Sequence, residues 1–313
     1  MSALLFPGQG SQVVGMGSEF HSEFESVKKI FKEADERLNY PISKLILEGP
    51  ENELQMTRNT QPAILTVSYS IFKVLKNEFE FDFSPFKYFA GHSLGEYSAL
   101  VCSESLKFSD ALYLLHERGK AMQEAVPVGR GSMIAVLGVK TEEITNLLQL
   151  RKKDTGVCEI ANDNAEGQVI VSGSKESVED FKIILKEKKI KSIPLKVSAP
   201  FHCKLMKPAA DAMEEKIDNT KFKNPTLKII NNVTAGVETD CVMIKKLLIQ
   251  QIFSTVKWRE SIIKMSETGV KNFIELGPGK VLTGMVKRTV KEANCFSINS
   301  IADIKNLINE FKK

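Results

Sequence analysis

The sequence predicts an α/β protein with a largely parallel sheet, into which a second, smaller domain is inserted. Two observations predict this class. Short apolar stretches that end in glycine loops alternate with helix-like stretches, and residues 126–198 follow the order strand, helix, strand, strand, helix, strand. This order is the ferredoxin-like pattern. We therefore place the small domain at 126–198 and the large α/β domain at 1–125 and 199–313.

The large domain is expected to contain three buried strands that end in glycine loops. Residues 3–6 precede the loop at Gly8, residues 87–90 enter the turn at Gly91, and residues 273–276 precede Gly277. Active sites of open α/β sheets gather at the carboxyl ends of the strands. These loops are therefore the first place to search for functional residues.

The small domain is predicted from local patterns. Thr141 is a suitable cap for a helix that runs to about Arg151, and a later helix has Val178, Phe181 and Leu185 on one face. Strands are expected at 132–137, at 157–161 and 168–172 with a turn at 162–167 between them, and at 193–197. A further helix is expected at 204–218, in the large domain.

Composition excludes several classes of protein. The net charge of +4 is mild for a nucleic-acid binder, and no apolar run approaches the length of a membrane span. The five cysteines are scattered without metal-ligand spacing, and the N-terminus has no basic segment of a secretory signal. We expect a cytoplasmic monomer without metal, cofactor, nucleic acid or membrane.

A nucleophile is indicated by Gly91-His92-Ser93-Leu94-Gly95, which matches G-x-S-x-G between an apolar strand and a helix-like run. Glycines permit a tight turn that exposes the serine hydroxyl at a helix N-terminus, where the Leu94 N–H can stabilise an oxyanion. The alternative is a glycine turn that contains a serine by chance. The strand-turn-helix context favours the nucleophile.

His202 is the preferred base among the four histidines. We interpret His21 as a surface residue, His92 as packed beside the site, and His116 as lying on the polar side of its helix. His202 follows Pro200-Phe201 and would meet Ser93 through tertiary folding. A purely structural histidine is the alternative, and no acidic residue stands out by spacing to orient the ring.

Arg118 falls on an apolar helix face. Ser109 is a plausible cap, and Ala111, Leu115 and Met122 share one stripe with Arg118. A buried guanidinium keeps its charge and needs an anionic partner. The partner is either a core carboxylate or the carboxylate of a dicarboxylic acyl substrate.

The first glycine loop, Pro7-Gly8-Gln9-Gly10-Ser11-Gln12, fits neither the phosphate-binding nor the dinucleotide-binding glycine pattern. Its exposed backbone N–H groups lie at a strand end. We expect Gln9 to supply the second donor of an oxyanion hole.

Taken together, these motifs resemble the malonyl-CoA:acyl-carrier-protein transacylases of fatty-acid synthesis. The resemblance spans the chain in family order. Its further motifs are Asn59-Thr60-Gln61-Pro62-Ala63, Gly119-Lys120-Ala121-Met122-Gln123, Pro200-Phe201-His202 and Glu275-Leu276-Gly277-Pro278-Gly279-Lys280. It implies a hydrolase-like parallel-sheet domain with a ferredoxin-like insert, and transfer of malonyl from malonyl-CoA to acyl carrier protein by an acyl-serine.

The resemblance also implies residue roles. Ser93 would carry the acyl group, with His202 as base and the Gln251 carbonyl orienting it. Backbone N–H groups of Gln9 and Leu94 would form the oxyanion hole. The implied substrate contacts are Arg118, which would bind the malonyl carboxylate, and Gln61, Met122 and Phe201. Leu94 and Phe201 resemble the malonyl-selective members of the family.

Two departures from the family pattern lie in or near loops, and we expect changed loop stiffness from them. Thr255 stands where the family often has Pro, and Ala165-Glu166 replaces Ala-Pro. Three alternatives stay open: an esterase or thioesterase on the same serine, a catalytically idle carrier-binding subunit, and a module of a larger synthase. A basic surface for the carrier, or a merely solvated face, is formed by Lys257, Arg259, Lys280, Lys287 and Arg288.

Overall fold

A computed structural model describes residues 1–151, 156–195, 197 and 199–312 of the chain. The predicted strand at 193–197 and the predicted boundary at 198 fall partly outside the described residues, since Lys196 and Ser198 are not among them. No helix in the described part of the chain is long and apolar enough to cross a membrane.

The described part of the chain contains both strands and helices. The strands are β1 (Ser2–Phe6), β2 (Phe86–Gly91), β3 (Gly131–Leu137), β4 (Cys158–Ala165), β5 (Gln168–Ser174), β6 (Lys191–Pro194), β7 (Lys228–Ile230), β8 (Val237–Glu238), β9 (Asn272–Leu276) and β10 (Asn294–Ile298). The helices are α1 (Ser18–Glu23), α2 (Glu25–Leu38), α3 (Ile42–Glu48), α4 (Glu51–Leu54), α5 (Thr57–Lys73), α6 (Gly95–Cys102), α7 (Phe108–Glu124), α8 (Thr141–Gln149), α9 (Lys175–Glu187), α10 (Lys207–Asn219), α11 (Cys241–Gln251), α12 (Trp258–Glu267), α13 (Val281–Thr289) and α14 (Ile301–Phe311). A π-helical turn (Val74–Glu78) extends α5, and a 3₁₀ turn (Lys204–Met206) precedes α10.

The larger sheet has the order β10-β9-β1-β2-β7-β8 and is parallel except for the pairing of β8 with β7. The three predicted strands of this domain are confirmed as β1, β2 and β9. All five residues of β1 are buried, as expected for a central strand covered on both faces. Phe6 is in register with Gly91, so the first glycine loop and the serine turn leave the sheet side by side.

The smaller sheet is antiparallel, with the order β4-β5-β3-β6, and all four strands lie within 126–198. Helices α8 and α9 pack on it through a core that includes Ile144, Val171 and Phe181. The predicted order of strands and helices is confirmed. The exact domain boundaries stay a prediction.

Strand β4 differs from the prediction, because it continues to Ala165 and leaves only Glu166-Gly167 as the turn. The polar stretch expected to be a loop is extended because its pairing with β5 continues to Ala165 and because a second segment, at Val256, pairs with its other edge. Val256 N donates to Ala161 O at 2.9 Å, and Asp163 N donates to Val256 O at 3.0 Å. Strand β6 also differs from the prediction, because it spans Lys191–Pro194 and therefore begins two residues before the predicted range of 193–197.

Two predicted helix caps were wrong. Helix α8 begins at Thr141 with Lys140 as its N-cap, and Thr141 makes no capping hydrogen bond through its side chain. Helix α7 begins at Phe108 with Lys107 as its N-cap, which places Ser109 inside the first turn. Extended backbone at the two lysines starts each helix one or two residues earlier than the hydroxyl residues suggested.

Candidate active site

Ser93 lies in a sharp turn between β2 and α6, with a backbone φ of 52°. A Cβ on Gly91 would lie 1.9 Å from the Gly95 carbonyl oxygen, and a Cβ on Gly95 would lie 2.2 Å from the Phe6 carbonyl oxygen. Only glycine fits at either position, because both contacts are with backbone that cannot move aside. The geometry therefore agrees with the prediction that glycine permits the tight turn around Ser93.

His202 meets the serine across 109 residues of sequence: its Nε2 lies 2.8 Å from Ser93 Oγ. Its Nδ1 lies 2.9 Å from the carbonyl oxygen of Gln251. A carbonyl only accepts, so Nδ1 carries the proton and Nε2 is free to accept the serine proton. The histidine is oriented without an acidic residue, and its left-handed φ of 57° reflects a tightly held loop.

The electrostatic surroundings keep His202 neutral. Burial, helped by the charge of Arg118, lowers the pKa of His202 to about 3, although the hydrogen bond to Gln251 opposes the shift. A depressed imidazole pKa means that the ring gains a proton only when the pH falls below that value. The base is therefore in its accepting form at neutral and mildly acidic pH.

We expect Ser93 to remain reactive in mild acid. Labelling by a neutral fluorophosphonate should fall less than about threefold between pH 7.5 and pH 5. A histidine with an ordinary pKa would lose about 30-fold over this range. The measurement is the second-order labelling rate from intact mass at each pH. A decline of more than tenfold would show that His202 titrates near its ordinary value.

Arg118 is buried to 1% exposure beside the serine. Its Nη2 donates to Ser93 Oγ at 3.1 Å and to Gln251 Oε1 at 2.9 Å, and its Nη1 donates to Gln61 Oε1 at 2.8 Å. Within the described part of the chain, no carboxylate forms an ion pair with it, and its Nε has no hydrogen-bond partner. The described residues therefore do not form the alternative, a structural ion pair between Arg118 and a core carboxylate.

The predicted oxyanion donors flank the same space. Gln9 and Leu94 both line the cavity above Ser93. The Gln9 side chain is turned aside, with Nε2 at 3.4 Å from Thr57 Oγ1, which fits a role for its backbone N–H. Both residues therefore lie beside Ser93, and their role as the two backbone donors of an oxyanion hole stays a prediction.

The cavity lies between the two domains and is lined by both polar and apolar side chains. The predicted contact residues Gln61, Met122 and Phe201 all line it. Gln61 connects Arg118 to Met122, because its Oε1 accepts from Arg118 and its Nε2 lies 3.8 Å from Met122 Sδ. The apolar wall is formed by Met122, Met133, Ile170, Leu195, Val197 and Phe201. Such a space suits a short acyl chain with an anionic end.

Sequence reasoning missed two asparagines of the site. Asn232 Oδ1 accepts from the Ser93 backbone N at 2.7 Å, and Asn164 Oδ1 lies 2.8 Å from His92 Nε2. Asn232 follows β7, the strand next to β2, so the search of strand ends could have found it. Asn164 gave no such signal, since its stretch was predicted to be a turn.

The predicted basic surface is only partly available to a partner. Arg259 is engaged by Asp163, with Nε at 3.0 Å from both carboxylate oxygens, and is 17% exposed at its side chain. Arg288 Nη1 donates to Gln168 Oε1 at 2.7 Å, although the residue is exposed. Lys280 and Lys287 are exposed. Arg259 therefore ties the two domains together, which corrects its assignment to a free basic face.

Known proteins provide an independent comparison. Residues 3–310 match the acyl transferase domain family. The chain is 42% identical over 310 residues to the malonyl CoA-acyl carrier protein transacylase of Haemophilus influenzae, covering 99% of this chain and 98% of that protein.

Solved structures agree with this comparison. An acyl carrier protein S-malonyltransferase from Vibrio cholerae superposes with a TM-score of 0.94 at 41% identity, covering 98% of this chain and 99% of that one. A malonyl-transacylase in complex with its type II PKS acyl-carrier protein superposes with a TM-score of 0.94 at 38% identity, covering 99% of each chain.

Proposed function

The chain belongs to the acyl transferase family, and we propose that it transfers a malonyl group from malonyl-CoA to the phosphopantetheine thiol of acyl carrier protein, for fatty-acid synthesis. The observation that carries this proposal is the fully buried Arg118, held 3.1 Å from the serine oxygen by neutral amides and without a carboxylate partner among the described residues. The Glu96 carboxylate attracts this charge from behind Gln251, but it does not contact the guanidinium, and a buried cation without a direct anionic partner is costly. The carboxylate of malonate supplies that anion next to the reacting carbon.

In the first half-reaction, Ser93 Oγ attacks the thioester carbonyl while its proton passes to His202 Nε2, 2.8 Å away. The negative charge that develops on the carbonyl oxygen is stabilised by the backbone N–H groups of Gln9 and Leu94. The carbon–sulfur bond then breaks, and the departing coenzyme A sulfur receives the proton from His202. The malonyl group remains as an ester on Ser93.

The second half-reaction reverses these steps with a new thiol. His202 takes the proton of the carrier's phosphopantetheine thiol, and the sulfur attacks the malonyl ester. The ester bond to Ser93 breaks, and Oγ regains the proton. Arg118 holds the malonyl carboxylate throughout. The serine, base and guanidinium come from one chain, and we keep the expectation of a monomer that acts in the cytoplasm. Coenzyme A enters only as the substrate thioester.

A thioesterase on the same scaffold would differ only in letting water reach the malonyl ester. We expect malonyl-CoA loss to rise at least about 100-fold when a holo acyl carrier protein is added, because the thiol must attack faster than water. The two rates are compared by following free coenzyme A and malonyl-carrier formation. Equal rates of malonyl-CoA loss with and without carrier would identify a hydrolase instead.

A further inference from the structure

Glu96 has no part in the mechanism described so far, although its carboxylate lies directly behind the active site. It occupies the first turn of α6 and is 2% exposed. Its Oε2 accepts from Gln251 Nε2 at 2.7 Å and from the Asn232 backbone N at 3.1 Å. A buried acid with two such bonds sets the orientation of the groups that donate to it.

Gln251 is the residue through which Glu96 acts, since it contacts all three catalytic groups. Its side-chain Oε1 accepts from Arg118 Nη2 at 2.9 Å, and its Nε2 also donates to the Ser93 carbonyl oxygen at 3.1 Å. Its backbone carbonyl lies 2.9 Å from His202 Nδ1. Rotation of the side-chain amide would therefore remove the contact to Arg118, whereas the contact to His202 is made by the backbone and would remain.

The glutamine amide has two ends that are nearly identical in shape and opposite in polarity. In the observed orientation the oxygen faces the Arg118 guanidinium and the NH₂ faces Glu96. A flipped amide would point NH₂ at the arginine and oxygen at the carboxylate, so both contacts would become repulsive. Glu96 thereby selects one orientation of Gln251.

Asn232 is held by the same acid. Its backbone N donates to Glu96, its Oδ1 accepts from Ser93 N at 2.7 Å, and its Nδ2 donates to the Gly91 carbonyl at 2.8 Å. The turn that presents Ser93 is thus fixed on both sides by residues that donate to one carboxylate. Such outer contacts commonly decide how precisely a reacting group is placed.

We propose that Glu96 is a positioning residue, which fixes the Gln251 amide so that Arg118 is aimed at the malonyl carboxylate beside Ser93. This inference rests on the proposed function. Burial raises the pKa of Glu96 to about 7, against the opposing effects of Gln251, Asn232 and the Arg118 charge. A proton on Oε1 would leave Oε2 able to accept, so the positioning contact persists in either protonation state.

The test compares Glu96→Ala with Glu96→Gln, which retains an acceptor oxygen. We expect Glu96→Ala to lower kcat/KM for malonyl-CoA by about 100-fold, and labelling of Ser93 by a neutral fluorophosphonate by less than about tenfold. Glu96→Gln should restore malonyl transfer to within about fivefold of the parent. A merely structural role would lower malonyl transfer and labelling equally.

A matched control is Glu275→Ala, because Glu275 is also buried and accepts from backbone N–H groups, those of Leu282 at 3.0 Å and Thr283 at 2.8 Å. It should lower Tm without changing the ratio of malonyl transfer to fluorophosphonate labelling. An unchanged ratio in Glu96→Ala, or failure of Glu96→Gln to restore transfer, would overturn the positioning role.

Failure of the proposed function and misfolding of a variant can both be distinguished from failure of the positioning role. If the parent protein forms no malonyl ester, the proposed function itself fails, whatever the variants do. If Glu96→Ala does not fold, Glu96→Asp and Glu96→Gln take its place. The shorter aspartate should withdraw from Gln251 and lower malonyl transfer about tenfold relative to Glu96→Gln. Equal malonyl transfer in these two variants would overturn the inference.

Discussion

Replacing Ser93 with alanine is expected to lower kcat/KM for malonyl transfer by at least about 10⁴-fold, because no covalent intermediate can then form. The His202 ring and the oxyanion N–H groups remain, but they have no nucleophile to activate. The measurement is malonyl transfer from malonyl-CoA to a holo carrier protein, with enough enzyme to detect a residual rate.

Ser98→Ala is the matched control for this loss. Ser98 lies in the same helix α6, is fully buried, and its Oγ has no hydrogen-bond partner among the described residues. Removing that hydroxyl should leave malonyl transfer within about twofold of the parent, since no buried partner is left unsatisfied. Retention of more than a few per cent of parent activity by Ser93→Ala would remove Ser93 from the mechanism.

Arg118→Ala is expected to reverse the preference between acyl groups. Loss of the guanidinium should lower kcat/KM for malonyl-CoA by about 10³-fold, because the malonyl carboxylate would enter a buried site without a charged partner. Acetyl-CoA has no carboxylate, so Ser93 acylation from it should change by less than about tenfold. The rates of Ser93 acylation by the two thioesters are measured separately by rapid quench and intact mass.

Arg58→Ala is the control for removing an arginine, since Arg58 is exposed on the neighbouring helix α5. It should leave the preference for malonyl-CoA unchanged. Arg118→Lys should fall between the parent and Arg118→Ala, because an ammonium keeps the charge but cannot reproduce the planar fork of donors. Full preference for malonyl-CoA in Arg118→Ala would contradict the role assigned to the guanidinium.

The candidate site residues that could be singled out from the sequence are those defined by local patterns. The serine turn follows from two glycines and their place between strand and helix, and Arg118 follows from its position on an apolar stripe. His202 required only elimination among four histidines. In each case the residue type and its immediate sequence neighbours were enough to single out the residue.

The parts that the sequence left open depend on tertiary contacts. The orienting carbonyl of Gln251 was indicated only by family resemblance, because any backbone carbonyl can accept and none is distinguished by its side chain. Glu96 and Asn232 meet Gln251 across 155 and 19 residues of sequence, and no spacing rule links them. Strand β4 extends through a polar stretch because it stays paired with β5 to Ala165 and because Val256 pairs with its other edge.

The burial of Arg118 lowers the stability of the folded protein. Burying a guanidinium whose direct partners are neutral groups destabilises the fold relative to a directly paired or apolar side chain. Consistent with this, burial lowers the pKa of Arg118 from its ordinary value. The bound malonyl carboxylate would offset that cost at the reacting centre, so selectivity and binding arise from the same contact.

Intact-protein mass spectrometry after mixing with malonyl-CoA alone tests the central claim most directly, with Ser93→Ala measured in parallel. We predict a single malonyl adduct on the parent, none on the variant, and loss of the adduct only when a holo carrier protein is added. An adduct of equal yield on Ser93→Ala, or no adduct on the parent under any condition, would rule out a malonyl ester on Ser93.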